Sequence, residues 1–88
     1  MLSLPSKPWK KVKIDELGNQ EYRLTFLSPL EDEAQFREAV VEDIASSLGE
    51  QDRLGHSDWQ SRSVTLTITD LKAFKRKLIF ASVMIETA

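Results

Sequence analysis

The feature that most constrains the fold of this chain is a strict alternation of apolar and hydroxylated side chains in residues 64–69. Val64, Leu66 and Ile68 fall on one side of an extended chain, and the residues between and after them are threonines. A period of two is typical of a β-strand with one face in a core and the other toward water. The apolar face needs a second layer to cover it, so the pattern predicts a two-layer protein.

A β-hairpin is predicted earlier in the chain. Polar and apolar residues alternate in residues 10–14, and residues 17–19 (Leu-Gly-Asn) have the composition of a turn. Tyr22, Leu24 and Phe26 then share one face of a second strand. The hairpin therefore has one apolar side, like the later strand.

A first helix is predicted to follow the hairpin. Ser28 is suited to be its N-cap, Pro29 its first residue and Glu31 the distal member of a capping box. The helix is expected to run to about Leu48, and Gly49 is placed to end it. Its apolar face is predicted to hold Leu30, Ala34, Val41, Ile44 and Leu48, widened by Phe36 and Val40.

A second helix is predicted after the strand, with Asp70 as its N-cap. Its apolar stripe comprises Leu71, Phe74, Leu78, Ala81 and Ile85. Further apolar side chains surround its end: Ile79, Phe80, Val83 and Met84. One sheet face cannot cover them all, so this end is expected to pack against copies of the same chain. The alternatives are a deeply packed terminal helix or a fourth strand.

Length and composition fit one small domain. The 88 residues include 41% hydrophobic and 30% charged residues, and a chain this short has no material for a second core. We expect residues 1–8 to be an irregular lead-in and residues 9–88 to form a single α+β domain. Its predicted architecture is a two-layer sandwich in β-β-α-β-α order, an antiparallel sheet of three to four strands with two helices on one face.

The lack of cysteine excludes disulfides and thiolate metal sites, so the core must suffice alone or be enlarged by self-association. This favours the cytoplasm and a homo-oligomer, dimer or tetramer, for which the apolar end of the C-terminal helix is the expected contact. The longest apolar stretch, residues 78–85, is too short to span a bilayer, so no membrane anchor is expected. The formal charge of −2 is uneven, because residues 31–58 carry nine acidic and two basic groups. Such an acidic block is typical of a solvated helix face and argues against nucleic-acid binding.

The residues that could carry chemistry cluster in residues 50–62, which are expected to be a polar connection. His56 can exchange protons near neutral pH and is the candidate general acid or base, with Asp58 to orient it. Trp59 is either an aromatic wall for a flat ligand or a lid on the core. Asp70 lies at a strand end, where sites open, although helix capping explains it completely. A single histidine excludes multi-histidine metal sites, and we expect neither a metal nor a cofactor.

Several segments, taken in order, form a wider pattern. They are Trp9, residues 22–26, a helix with Ala34, Phe36, Val40 and Ala45, residues 55–58 (Gly-His-Ser-Asp), residues 64–70 and the terminal residues 78–86. This order of elements and apolar positions, over nearly the whole chain, resembles the pterin-4a-carbinolamine dehydratases, a family of lyases. The resemblance implies a pterin ligand and an α+β sandwich that associates into dimers or tetramers.

The active-site motif of that family is only partly present. The family carries paired histidines followed by proline, and a threonine-histidine pair that closes a strand. Here His56 is the only histidine of the first motif, Ser57 replaces the proline, and Asp70 follows Thr69 where the second histidine is expected. The resemblance implies His56 as the catalytic candidate, with Asp58, the second catalytic candidate from the loop itself, and Trp59 as its neighbours. It leaves open dehydration of a 4a-hydroxytetrahydropterin or a non-catalytic binding or assembly role with a protein partner. The ligand-binding candidates are Trp59, Thr69 and Asp70.

A second resemblance rests on two helix starts. Each of these helix starts follows a predicted strand: residues 28–34 (Ser-Pro-Leu-Glu-Asp-Glu-Ala) and residues 70–75 (Asp-Leu-Lys-Ala-Phe-Lys). In this the chain resembles the small Pcc1-type dimerisation subunits of the tRNA-modifying KEOPS assembly. That resemblance implies a small dimeric scaffold that docks a larger enzyme. Residues 50–62 make a poor strand for that family, and the strand at residues 9–14 has no counterpart in it.

Overall fold

The computed structural model describes residues 10–86, so Trp9 and the predicted lead-in lie outside the described residues. The strands are β1 (Lys11–Gly18), β2 (Glu21–Phe26), β3 (Arg53–Asp58), β4 (Ser63–Thr67) and β5 (Met84–Ile85). The helices are α1 (Glu33–Ala39), continued by a π-helical turn (Val40–Ile44) and a 3-10 turn (Ala45–Ser47), and α2 (Leu71–Phe80). The α+β class predicted from the sequence is confirmed. No helix in the described part of the chain is long and apolar enough to cross a bilayer.

The strands form one mixed sheet in the order β3-β4-β2-β1-β5. The first four are antiparallel neighbours, whereas β5 pairs with β1 in parallel. The predicted antiparallel sheet of three to four strands and its β-β-α-β-α order are therefore wrong in two places. Residues 50–62 contain a strand rather than only a connection, and the predicted tail of the second helix contains another.

One face of this sheet is apolar, and both helices cover it. The buried side chains of the strand side are Val12, Leu24, Phe26, Val64, Leu66 and Ile68, and those of the helical side are Phe36, Ala39, Val40, Ile44, Phe74 and Leu78. Together with Val83 they form a single core cluster. The molecule therefore has two layers, and the second face of the sheet is open to solvent.

β3 lies at the edge of the sheet and has no buried residue. A bulge shifts its register against β4 between Leu54 and Ser57. Gly55 permits the close approach there, since a Cβ at this position would lie 2.6 Å from Thr65 Oγ1 and 2.9 Å from its carbonyl oxygen. The strand forms because it fits β4 rather than because of its own apolar period, which is why the sequence pattern did not predict it.

α1 begins later than predicted, and its N-cap is Asp32 rather than Ser28. The Asp32 carboxylate accepts a hydrogen bond from the Gln35 amide at 2.9 Å, and Gln35 Oε1 accepts one from the Glu31 amide at 2.7 Å. The Ser28 side chain is instead buried and accepts a hydrogen bond from the Lys11 amide. The predicted cap is wrong because that hydroxyl fastens the end of β2 to the start of β1.

The late start and the π-helical turn change which residues of the first helical segment face the core. Phe36, Val40 and Ile44 are buried, whereas Ala34 is exposed and Val41 is 63% exposed. The last two were predicted to belong to the apolar stripe and instead lie on its outer side.

α2 starts as predicted, because the Asp70 carboxylate accepts a hydrogen bond from the Ala73 amide at 3.1 Å. It ends at Phe80 rather than continuing to Ile85. The expectation of one helix through that point is wrong, and the alternative of a further strand describes residues 84–85 correctly.

A Schellman motif ends α2. Ser82 adopts a left-handed φ of 69°, the Val83 amide donates to the Leu78 carbonyl at 2.8 Å, and the Ser82 amide donates to the Ile79 carbonyl at 2.9 Å. Val83 and Leu78 are both buried, which supplies the apolar contact that usually accompanies this motif. The reversal directs the chain to its pairing with β1.

Candidate functional site

His56 lies at the bulge of β3 and is exposed. Its amide donates to Thr65 Oγ1 at 2.9 Å, so the backbone of the bulge is fixed to β4. The side chain lines a shallow hollow of about 520 Å³ on the open face of the sheet. His56 is therefore placed on the polar face and outside the core.

Three strands and one turn build this hollow. Its lining residues are Arg23, Thr25, His56, Asp58, Ser61, Ser63 and Thr65. The strand register explains the grouping, because Arg23 lies opposite Thr65 and Ser63 lies opposite Asp58. Residues directly opposite each other in a sheet project to the same face. The register thus brings together side chains that are far apart in the sequence.

Asp58 shares the hollow with His56, but its carboxylate is engaged in the β3–β4 turn. One oxygen accepts a hydrogen bond from the Gln60 amide and the other from the Ser61 hydroxyl, each at 3.0 Å. Ser61 Oγ also lies 2.7 Å from Ser63 Oγ. The geometry assigns Asp58 a role in closing the turn and shows no hydrogen bond between it and the imidazole.

Trp59 turns toward the helix layer. The Trp59 ring packs on the Phe36 ring, with the two centroids 5.7 Å apart. The Arg62 guanidinium also contacts the Trp59 ring and lies 4.9 Å from its centre. Trp59 also borders a smaller hollow of about 330 Å³ that includes Glu33 and His56. Of the two predicted roles, the position of Trp59 corresponds to the lid on the core.

Thr69 and Asp70 do not line either hollow that holds His56. Thr69 donates to Asp52 Oδ1 from its amide at 2.9 Å and from its hydroxyl at 3.1 Å. The Gly49 amide donates to Asp52 Oδ2 at 2.8 Å. Asp70 caps α2, so the predicted site residues divide into a group around His56 and a group that serves local structure.

Asp52, the hydrogen-bond partner of Thr69, has a shifted acidity. Burial alone would raise the pKa of the Asp52 carboxyl. The hydrogen bonds from Thr69 and Gly49, together with the positive charge of Lys77, outweigh burial and hold that pKa below its usual value. The carboxylate therefore fastens the end of the first helical segment to the segment between β4 and α2.

A second candidate surface lies on the outer side of the helix layer and includes three large apolar side chains. Phe80 is 93% exposed, Val41 63% and Ile79 62%. Single exposed apolar residues are ordinary, but an almost fully exposed phenylalanine beside an exposed isoleucine is not. The sequence indicated this feature at the end of α2 and missed Val41, because the period assigned it to the core.

Within residues 10–86 no group of three histidine, aspartate or glutamate side chains is placed to hold a metal ion. Comparison of the chain with models of protein families, with curated proteins and with solved structures finds no match. The hollow around His56 and the outer side of the helix layer are the two candidate functional surfaces of the chain.

Proposed function

We propose that this chain is a non-catalytic binding module that acts as a pair of identical copies joined through their helix layers. The observation that carries the proposal is the complementarity between the outer faces of its two helices. A cytoplasmic location, favoured by the lack of cysteine, is part of the proposal.

The outer face of α2 is cationic and ends in apolar side chains. Four exposed residues lie on the side of this helix that faces away from the core: Lys72, Arg76, Ile79 and Phe80. The helix contains no acidic residue. This face therefore offers positive charge along the helix and an apolar contact at its C-terminal end.

The outer face of the first helical segment has the opposite charge. Its exposed residues are Ala34, Glu38, Val41 and Glu42. The two apolar side chains alternate along this face with the two glutamates. This face therefore matches that of α2 in both charge and apolar character.

A two-fold axis between two copies creates two identical contacts, each between an acidic helix face and a basic helix face. Both helices cover the same side of the sheet, so each copy presents one acidic and one basic face on a single layer. Rotation by half a turn places the acidic face of each copy on the basic face of the other, which is a closed, self-complementary arrangement. A second copy of this chain is the occupant that the surface itself specifies.

The two components of this contact have different roles. Removing a large apolar side chain such as Phe80 from water is worth about 1.5–3 kcal/mol, and the pair contains two such side chains. Exposed ion pairs add about 0–1 kcal/mol each, but they fix orientation and exclude like-charged arrangements. Apolar burial therefore supplies affinity, and charge supplies register.

Catalysis by His56 has less support, and the dehydratase activity implied by the resemblance stays a prediction. A dehydration needs groups that donate and accept protons at the reacting centre. His56 is the only imidazole, and the two carboxylates that share a hollow with it are engaged elsewhere: Asp58 is bonded to the turn and Glu33 pairs with Arg37. The geometry favours the binding side of that resemblance.

Charge reversal with mixing tests the proposal. One variant carries Glu38→Lys with Glu42→Lys, and a second carries Lys72→Glu with Arg76→Glu. Each alone places like charges across both contacts, so we expect its dimer dissociation constant to rise about tenfold or more. An equimolar mixture restores opposite charges at both contacts, so we expect a heterodimer. Sedimentation velocity over a concentration series measures both results.

The matched control is Arg53→Glu, which reverses an exposed charge on β3 and away from the helix layer. It should leave the dissociation constant unchanged, and sodium chloride should weaken the wild-type pair because exposed charges are screened. A wild-type chain that stays monomeric throughout the series would contradict the proposal, as would a mixture that sediments like its two components.

A further inference from the structure

We infer that the open face of the sheet binds a small oxyanion, a phosphate or carboxylate group, between Arg23 and His56. This site lies on the opposite side of the sheet from the helix layer, so it goes beyond the pairing of copies and does not depend on it.

Arg23 supplies the principal anion-binding group. It is exposed on β2, the central strand of the sheet, and lines the hollow. Asp15 lies opposite it on β1, but the Asp15 carboxylate pairs with Lys13 at 3.7 Å. Among the described residues the Arg23 guanidinium forms no ion pair. Its planar set of N–H donors is suited to two-point contact with a carboxylate or phosphate.

His56 lines the same hollow as Arg23, and within the described part of the chain its hydrogen bonds involve only its backbone groups. The bonds that hold it join its amide and carbonyl groups to the Thr65 hydroxyl. Within residues 10–86 the imidazole nitrogens form no hydrogen bond. The ring can therefore donate a hydrogen bond to a group bound beside Arg23 without breaking an internal contact.

The one carboxylate in the hollow, that of Asp58, is held in the β3–β4 turn, whereas the Arg23 guanidinium is not engaged in an ion pair among the described residues. The Asp58 oxygens accept hydrogen bonds from the Gln60 amide and the Ser61 hydroxyl, which fix the carboxylate against the turn. Since Ser61 donates to Asp58, the short contact between Ser61 and Ser63 has Ser63 as its donor. The Thr25 hydroxyl has no such commitment among the described residues and is a further donor at the floor of the hollow.

The size of the hollow fits a small ligand. Its volume of about 520 Å³ lies within the range of small-molecule sites. It is shallow, so a bare ion should bind weakly, and a molecule that carries the anionic group should bind more tightly through added contact area. The recognised chemistry is the oxyanion itself.

Titration followed by amide and side-chain NMR shifts tests this inference. The probes are sodium phosphate and sodium acetate in separate arms, with sodium chloride at matched ionic strength as the reference. We expect saturable shifts at Arg23, His56 and Thr65 with an oxyanion and none with chloride. The arm that saturates at lower concentration identifies whether phosphate or carboxylate is preferred.

Substitution at the guanidinium then separates specific binding from general attraction. Arg23→Gln should weaken binding about tenfold, and Arg23→Lys should also weaken it because an ammonium cannot make the two-point contact. Arg53→Gln, which removes another exposed cation from the sheet, should leave binding unchanged.

Shifts that follow ionic strength alone, or equal binding by the Arg23→Gln and wild-type proteins, would overturn the inference. A monomeric charge-reversal variant of the helix layer should bind the ion as the wild type does. Failure of the site and failure of the pairing are thus seen in separate measurements.

Discussion

At the scale of single residues, Asp52 is the most informative polar side chain in the molecule. Its two oxygens accept hydrogen bonds from the Gly49 amide and from the amide and hydroxyl of Thr69. Asn at this position keeps one oxygen acceptor, but its side-chain N–H₂ group then faces a backbone N–H donor, and that hydrogen bond is lost. We therefore expect Asp52→Asn to lower the free energy of unfolding by about 1–3 kcal/mol, measured by urea denaturation.

The acidity of Asp52 gives the same prediction a pH dependence. Its pKa is lower in the folded chain than in the unfolded chain, so the ionised carboxylate stabilises the fold at pH values above its unfolded pKa. That contribution is lost as the pH falls from about 4 through the folded pKa. Asp52→Asn should lack this part of the acid sensitivity, and Glu50→Gln, at an exposed neighbour, should retain it. Equal acid profiles for the wild type and Asp52→Asn would contradict the assignment.

At the scale of elements, the end of α2 depends on one residue in a left-handed conformation. Ser82 has φ of 69°, where glycine is favoured and serine is strained. Ser82→Gly should raise the free energy of unfolding by about 0.5–1 kcal/mol, because the Schellman motif is kept and the strain is removed. Ser46→Gly, within a helical turn, should lower it. A destabilised Ser82→Gly protein would show that the serine side chain itself holds this turn.

The elements that the sequence predicted are those whose pattern is complete within one segment. β4 follows from the alternation around Leu66, the β1–β2 hairpin from its turn and apolar face, and the start of α2 from Asp70. Each of these depends on neighbours in the sequence. Local chemistry therefore accounts for them.

The elements that the sequence missed are decided by distant contacts. β3 forms on β4 through the close approach of Gly55, and Ser28 bonds to Lys11 instead of capping a helix. The candidate site shows the same division. His56 stood out as the only histidine, whereas Arg23 joins it only through the sheet register, which no spacing in the sequence reveals.

At the scale of the whole molecule, the chain has a polar sheet face and a helix layer with two oppositely charged outer faces. The acidic block at residues 31–58, predicted to be a solvated helix face, supplies one of those faces. We expect the helix layers to meet in a pair of copies and the polar face of each sheet to stay open to solvent. In such a pair the two proposed anion-binding hollows lie on opposite outer sides.

The contact between copies can be observed directly. A sample mixed from isotope-labelled and unlabelled chains allows nuclear Overhauser effects between copies to be separated from those within one copy. We expect intermolecular effects between the ring of Phe80 in one copy and the methyl groups of Val41 in the other, at concentrations where sedimentation gives twice the chain mass. Nuclear Overhauser effects that join Phe80 only to residues of its own chain would contradict the central claim. A pair of copies held together through their sheet faces would contradict it as well.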